Sequence, residues 1–282
     1  MTSFGIYLYH NYKKTVLLPR RFEYVADPFI VMSSSSQVIL FAERYSWLKR
    51  RGSIIKIHLY FDDNEISQIE VAPLIDEPFH LSFPYFYKIG KRLFLIPESS
   101  AVKKLYLYEL DTETYSVIAR KTIAEGHFVD PVAFRIGQRH FISWYTGVGN
   151  SDGETVFSEM EKDGIHNGNF FFDPSKTFFL SKLRSGGRIF SPNTRPVQTI
   201  SDVYGKGLDF ENLSGIAPID DNIEKMIEES LDAKILDSSH HFDKVNGSIV
   251  MDCYYQRNLL SLANDRTYLK GIFGDDVQFI RI

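Results

Sequence analysis

Cysteine is nearly absent from this chain, and Cys253 is the single one among 282 residues. One cysteine excludes a disulfide within the chain, which is typical of proteins from a reducing compartment. Cys253 lies in the apolar run SIVMDCYY, and no base is evident beside it. We therefore expect a buried, inert thiol rather than a nucleophile.

The chain also lacks the segments that direct proteins into membranes. Its N-terminus, MTSFGIYLYHNYKK, has no charged region followed by an apolar one, as a secretory signal requires. No apolar stretch approaches the ~20 residues of a membrane-spanning helix. The sequence thus predicts a soluble cytoplasmic protein without a membrane span.

Several ligand-binding signatures are missing as well. The formal net charge is −4 and the basic residues form no run longer than LKRR at 48–51, which argues against nucleic acid as a partner. No glycine-rich loop has the spacing of a P-loop or a dinucleotide site. No short metal-ligand spacing joins the histidines His80, His127, His140 and His241. We expect neither a cofactor nor a metal.

Apolar and aromatic residues, by contrast, are plentiful. Hydrophobic residues make up 44% of the sequence and aromatic residues 15%, most of them Phe and Tyr. Aromatic residues favour strands, and their faces also stack on sugars. Short runs rich in Val, Ile, Tyr and Leu are separated by Asp, Asn and Gly turns, which predicts an all-β fold. The length suits one closed all-β domain over residues 1–282.

One pattern recurs along the sequence. ADPFIVMSSSSQVILFAE contains an acid–proline pair, an apolar run, a turn, a second apolar run and a final carboxylate. SFPYFYKIGKRLFLIPE and VDPVAFRIGQRHFISWY repeat it, and TRPVQTISDVYGKGLDFE and SHHFDKVNGSIVMDC follow it more loosely. The equivalent position is held in turn by Asp27, Phe83, Asp130, Arg195 and His241. Short strands repeated at steps of 46 to 65 residues predict a five-bladed β-propeller.

Three details of this propeller follow from the sequence. FGIYLYH (4–10) is expected to pair with the last blade and close the ring, with the strand-like C-terminal DDVQFIRI at its side. IDDNIEKMIEESLDAK (219–234) has capping acids and one apolar stripe, so it predicts a single helix that decorates the ring. The five equivalent positions should begin the innermost strands around one axis, because those strands line the central channel.

This fold would gather polar side chains that are far apart in sequence. The residues expected at one mouth of the channel are Asp27, Glu43, His80, Glu98, Asp130, Arg195, Glu211 and His241. Enzymes that cleave a glycosidic bond use two carboxylates that face each other across the sugar ring. One acts as base or nucleophile and the other as acid. A raised pKa is what suits the second one to donate a proton.

The same residues have structural interpretations. An Asp before Pro commonly caps its own turn, and Glu43 can pair with a basic neighbour at the surface. Arg195 can link two blades through a carboxylate, and a histidine of the His240–His241 pair can be a satisfied core residue. Glu98 is harder to explain in this way, because a carboxylate in the apolar run LFLIPES must be paired or face a cleft.

Eight short motifs carry a family resemblance: ADPF, FAE, HLSFPYFY, LFLIPESS, KKLYLYE, VDP, RPVQ and YGKG. From about Tyr24 to about Tyr255 the chain resembles the N-terminal domain of glucosamine inositolphosphorylceramide transferases and related bacterial proteins of polysaccharide loci. That domain is similar to the five-bladed propellers of family 43 glycoside hydrolases. The resemblance implies that Asp27 is the base and that Asp130 is the second Asp, which tunes the acid and orients the substrate. In those hydrolases the Glu that acts as acid follows the second Asp, whereas Glu98 precedes Asp130.

We therefore expect a protein that acts on a glycosidic bond, with Asp27, Glu98 and Asp130 as catalytic residues. The residues expected to bind substrate are Glu43, His80, Arg195, Tyr204 and His241. Glycosyl transfer in the biosynthesis of cell-surface polysaccharide or glycolipid is the first hypothesis, with a carbohydrate or sugar nucleotide as substrate. A family-43-like glycoside hydrolase and a non-catalytic module that binds a glycan or a sugar nucleotide are the alternatives. Association with other polysaccharide-biosynthesis enzymes is left open.

Overall fold

Five sheets, antiparallel except for one parallel pair in the last, form the blades of a propeller. The computed structural model describes residues 2–149, 151–161, 170–190, 194–199, 206–212, 233–256 and 262–282. The chain starts with two strands of the last blade, β1 (Thr2–His10) and β2 (Lys13–Leu18). The predicted all-β, five-bladed architecture is thereby confirmed.

Three four-stranded blades follow, and each is an antiparallel meander. Blade I consists of β3 (Glu23–Ser34), β4 (Gln37–Ser46), β5 (Arg51–Asp62) and β6 (Glu65–Ile75). Blade II consists of β7 (Ser82–Ile89), β8 (Arg92–Glu98), β9 (Lys104–Leu110) and β10 (Val117–Glu125). Blade III consists of β11 (Val129–Ile136), β12 (Arg139–Tyr145), β13 (Thr155–Met160) and β14 (Phe178–Ser181).

The last two blades are less regular. The described residues of blade IV form β15 (Arg184–Ser185), β16 (Thr194–Gln198) and β17 (Leu208–Asn212). Blade V combines β1 and β2 with β18 (Phe242–Val245), β19 (Ser248–Gln256) and β20 (Gln278–Arg281). Among the inner strands, β18 packs on β3, β3 on β7, β7 on β11 and β11 on β15, while a bridge from Gly187 to Phe242 completes the ring.

Closure of the ring depends on the N-terminal strand, as predicted. β1 pairs antiparallel with β19 from Thr2 opposite Gln256 to Tyr9 opposite Ile249. The expectation that the two terminal strands lie side by side is wrong, because β20 pairs in parallel with β2 instead. A tight turn at Asn11 and Tyr12, both with positive φ, folds β2 directly onto β1 and leaves only the far edge of β2 for β20.

The repeated acid–proline position has a repeated backbone conformation. Asp27, Phe83 and Asp130 have φ values of 50°, 45° and 48°, and each directly precedes a proline. At each of these positions the ladder between the first and second strands shifts register. A left-handed residue other than glycine is costly, and such strain is concentrated at functional sites. Each bulge interrupts pairing near the start of the inner strand, so backbone and side-chain groups there can form hydrogen bonds with other blades.

Blade IV does not follow the repeat, and the prediction that Arg195 begins an innermost strand is wrong. The innermost strand is β15, and Arg195 lies in the middle strand β16. The chain continues from β15 through Gly186 and Gly187, where a side chain at Gly187 would collide with the backbone of Phe242. The two-residue strand β15 has no acid–proline signature, whereas β16 carries the TRP motif that resembles the repeat.

Only the end of the predicted helix can be compared with the structure. Of the segment 219–234, residues 219–232 lie outside the described residues, and a short helix α1 covers Ala233–Leu236. A second helix, α2 (Leu262–Phe273), was not predicted, and its Phe273 ring stacks on Tyr7 of β1 with centroids 4.7 Å apart. No helix in the described parts of the chain is long and apolar enough to span a bilayer.

Candidate active site

The starts of the inner strands enclose a pocket of about 180 Å³. We call it the acidic pocket, because four carboxylates line it: Asp27, Glu43, Glu98 and Asp130. None of them is more than 9% exposed. The other lining side chains with polar or aromatic groups are Phe4, Tyr24, His80, Ser82, Ser100, His127, Arg184 and His240. This volume lies below the ~300–1,000 Å³ of sites that enclose drug-sized ligands, so the pocket suits one small ring.

Asp27 lies at the bulge of β3, where its carboxylate connects two neighbouring blades. Oδ2 accepts a hydrogen bond from the backbone N–H of Phe83 in blade II at 3.2 Å. Oδ1 lies 3.5 Å from Nε2 of His240, which precedes blade V. Burial raises the pKa of Asp27 to about 7, although the nearby His240 opposes the rise. Near neutral pH this carboxyl therefore exchanges readily between its charged and neutral forms.

His240 is clamped by Asp252 of β19. One oxygen of Asp252 accepts the backbone N–H groups of His240 at 3.0 Å and His241 at 3.1 Å, and the other lies 2.9 Å from Nδ1 of His240. Burial alone would lower the pKa of His240, but the Asp252 carboxylate outweighs it and raises the pKa to about 9. At neutral pH an imidazolium thus lies between Asp252 on one side and Asp27 on the other.

Glu98 ends β8 and faces blade III. Its Oε2 accepts the backbone N–H of Asp130 at 3.1 Å, and the Ser100 hydroxyl lies 2.6 Å from its Oε1. Burial raises the pKa of Glu98 to about 8, and the charge of Asp130 adds to the rise. Glu98 is therefore mostly protonated at neutral pH, as a general acid must be.

Asp130 is held in place from blade IV. Its Oδ2 accepts hydrogen bonds from Nε of Arg184 at 2.9 Å and from Nε2 of Gln198 at 3.1 Å. The Asp130 and Arg184 side chains are only 4% and 6% exposed, so their ion pair is shielded from solvent. A buried, hydrogen-bonded pair of this kind fixes both partners, and it orients Asp130 beside Glu98.

Glu43 and His80 form the wall on the blade I side. The backbone N–H of Gly52 donates to Nδ1 of His80 at 2.7 Å, so the neutral ring carries its proton on Nε2. That nitrogen lies 3.8 Å from Oε1 of Glu43. Burial, with the charges of Asp27 and Glu98, raises the pKa of Glu43 well above its usual value, whereas burial lowers that of His80.

One group in this region has the composition of a metal site. Ligand atoms of Asp27, His240 and Asp252 lie within 4.8 Å of one another. The ring of His240, however, separates the two carboxylates, because Nδ1 faces Asp252 and Nε2 faces Asp27. A metal ion needs donor atoms that converge on one point at ~2.0–2.2 Å. The group is better described as an imidazolium that lies between two carboxylates at ion-pair distance, and we assign it no metal.

Five of the eight predicted site residues line the acidic pocket together: Asp27, Glu43, His80, Glu98 and Asp130. Tyr204 lies outside the described residues. His241 does not line the pocket, since it is fully buried against the rings of Phe29 and Phe83 with centroids 4.5 and 5.5 Å away. Its pKa falls to about 4 through burial, so it is a neutral core histidine.

Arg195 also lies away from the pocket. Its Nη2 donates to the carbonyl of Leu183 at 2.8 Å, and its Nε lies 4.0 Å from a carboxylate oxygen of Glu211. Burial lowers the pKa of Arg195 to about 10. These contacts lie within blade IV and its junction with blade III, which agrees with the structural interpretation of this residue.

Sequence reasoning missed Arg184, His240 and Asp252. The repeat pattern pointed to the neighbour of His240, and a histidine pair does not reveal which ring faces the channel. Asp252 follows the apolar run SIVM within the last copy of the repeat, and a carboxylate between apolar residues was a usable signal. Arg184 lies just before Gly186 and Gly187, which mark the close approach of blades IV and V.

Solved structures similar to this one include sugar-cleaving enzymes. An exo-β-1,3-galactanase from Clostridium thermocellum superposes with a TM-score of 0.54 at 10% identity, over 69% of this chain and 47% of that one. The catalytic domain of a GH62 α-L-arabinofuranosidase from Coprinopsis cinerea superposes with a TM-score of 0.54 at 12% identity, over 75% of this chain and 74% of that one. At such identities the likeness shows the fold alone, and the chain spans less than half of the galactanase.

Sequence comparison identifies the family. A search of curated proteins found no match. Residues 16–222, most of the chain, match the family model described as glucosamine inositolphosphorylceramide transferase 1, N-terminal. The chain is thus a carbohydrate-related propeller. It belongs to the family of N-terminal domains of glucosamine inositolphosphorylceramide transferases.

Proposed function

We propose that this protein acts on a glycosidic bond in the acidic pocket and transfers the released sugar during assembly of a polysaccharide or glycolipid. The observation that carries the proposal is the pair of buried carboxyls Asp27 and Glu98, whose pKa values are raised to about 7 and about 8. Glycosidic bond cleavage needs one carboxyl that is ionised and one that is protonated near neutral pH. Membership of a family named for a transferase supports assembly over degradation.

Each carboxyl has a distinct part in this reaction. Glu98 donates its proton to the oxygen that leaves the sugar, and the ionised form of Asp27 attacks the sugar carbon or removes the proton of the attacking hydroxyl. The imidazolium of His240, 3.5 Å from Asp27, stabilises that ionised form. Asp130 positions Glu98 through its backbone N–H and is itself oriented by Arg184.

The charge of the pocket indicates an uncharged sugar as the unit that is transferred. Four carboxylates line the pocket, and its two strong cations, Arg184 and His240, are already paired with Asp130 and Asp252. A diphosphate would be desolvated in this pocket, and none of the described lining residues is a cation free to compensate that cost. A glycoside is therefore a better donor for this pocket than a sugar nucleotide. Attack by the hydroxyl of an acceptor results in transfer of the sugar, and attack by water results in hydrolysis.

The test compares Glu98→Gln with the parent on glycosides that differ in their leaving group. On alkyl glycosides, whose leaving oxygen needs a proton, the variant should lose ~100-fold or more in turnover while ligand affinity stays within about tenfold. On dinitrophenyl glycosides, which leave without protonation, most of the loss should disappear. Glu113→Gln, at an exposed turn, is the matched control and should behave as the parent.

Two outcomes would contradict the proposal. Equal losses on both kinds of glycoside would show that Glu98 is not the acid. Binding without turnover in either form would identify a glycan-binding module in place of an enzyme.

A further inference from the structure

A second groove lies toward the other ends of strands β7 and β11. Ser82 and Val129, at the start of these strands, line the acidic pocket, whereas Tyr85–Lys88 and Ala133–Arg135 line a groove of about 450 Å³. Residues Arg188–Phe190, which follow β15, form its remaining wall. We call it the basic groove. With a rise of ~3.3 Å per residue along a strand, the two sites are separated by on the order of 15 Å.

The charge of this groove is opposite to that of the acidic pocket. Lys88, Arg135 and Arg188 line it, and none of its lining residues is a carboxylate. Lys88 and Arg135 are exposed, and neither has an ion-pair partner within the part of the chain that the structure describes. Unpaired cations around a concave surface attract anions and hold them.

Arg188 is pre-positioned by its contacts behind the groove. Nε and Nη2 lie 2.9 and 3.1 Å from the two oxygens of Asp243, which is fully buried, and Nη2 also donates to the carbonyl of Ile30 at 3.2 Å. The guanidinium lies 4.5 Å above the ring of Phe86. Nη1 has no partner among the described residues and is not buried, so it can donate to a ligand with little further loss of side-chain entropy.

The rest of the surface is apolar and aromatic. Tyr87, Ile189 and Phe190 are half-buried at the edge of the groove. The Tyr87 hydroxyl lies 2.8 Å from Nδ1 of His140, which fixes the plane of its ring. A ligand held here would place its anionic group against the three cations and its apolar or planar body against these side chains.

We propose that the basic groove binds a phosphate ester with an apolar or aromatic body. A phosphate monoester carries about −1.5 to −2 charges and three acceptor oxygens, which match the two unpaired cations Lys88 and Arg135 and the free N–H groups of Arg188 better than a single carboxylate or a neutral sugar does. Nucleotides and lipid phosphates share this chemistry. The inference is independent of the reaction in the acidic pocket, because the two sites share no lining residue.

Titration of the whole protein with phenyl phosphate, followed by calorimetry or by NMR, tests this site. Phenyl phosphate should bind more tightly than inorganic phosphate, and Arg135→Gln should weaken it by ~5-fold or more at low salt. Lys91→Gln removes the same charge from the adjacent β7–β8 turn, outside the groove, and should change the affinity less than twofold. Asp27→Asn should leave phenyl phosphate binding unchanged even if it abolishes turnover.

Two further ligands identify the source of the phosphate group, and one further variant provides a second test of the groove. Uridine diphosphate and a short-chain phosphatidate are compared directly, and the tighter of the two indicates a nucleotide or a lipid headgroup. Lys88→Gln is a second variant in case Arg135→Gln does not fold. The proposal is overturned if phenyl phosphate does not saturate, if both groove variants bind like the parent, or if Lys91→Gln weakens binding equally.

Discussion

Replacing Asp27 by Asn should make the protein more stable above neutral pH while it abolishes activity. The folded state raises the pKa of Asp27 from 3.8 to about 7, mainly because burial disfavours the charged carboxylate. A carboxyl with a raised pKa supports the fold while it is protonated, and this support is lost as the pH rises from about 4 to about 7. Asn has the shape of the neutral carboxyl and cannot ionise, so the variant avoids this loss.

The magnitude follows from the size of the pKa shift. About three pKa units correspond to ~4 kcal/mol at pH 8, where the unfolded and folded forms of the wild type are both ionised. At pH 4.5 the same relation gives only ~1 kcal/mol, because this pH is only slightly above the pKa of 3.8 in the unfolded chain. The free energy of unfolding of Asp27→Asn should therefore exceed that of the wild type by at most ~4 kcal/mol at pH 8, and the difference should become smaller at lower pH.

Urea unfolding followed by tryptophan fluorescence at pH 4.5, 6 and 8 measures these differences. Asp62→Asn is the control, because Asp62 is exposed at the end of β5 and its removal should change little at any pH. A variant that is less stable than the wild type at pH 8, by an amount that does not depend on pH, would refute the reasoning. Asp27 would then be a turn residue whose carboxylate is needed for the bond to Phe83.

Two further predictions concern Arg184 and the pH profile. Arg184→Gln leaves Asp130 buried without its cation and should lower the free energy of unfolding by ~3–5 kcal/mol. Adding Asp130→Asn should restore part of that loss. A double variant that is no more stable than Arg184→Gln alone would contradict the ion pair between Asp130 and Arg184. Activity should rise as Asp27 ionises near pH 7 and fall as Glu98 loses its proton near pH 8. A rate that stays flat from pH 5 to 10 would exclude both from proton transfer.

The sequence by itself determined the fold and the four carboxylates of the acidic pocket. Alternating apolar runs, turns and an acid–proline pair are local signals, and three copies of them contain Asp27, Glu98 and Asp130, which line one pocket. Such signals are informative because strand period and proline geometry act over a few residues. The ring then brings equivalent positions together, since each blade contributes the start of its inner strand to the same mouth.

Only the tertiary structure decided which residues complete the pocket and what their charges are. Arg184 lies in a two-residue strand without a motif. Both imidazoles of the histidine pair lie within 4 Å of Asp27, but only that of His240 lines the pocket. The pKa values of Asp27 and Glu98 depend on burial by several blades and on charges tens of residues away in sequence. Desolvation and Coulomb interactions act through space, so no local pattern encodes them.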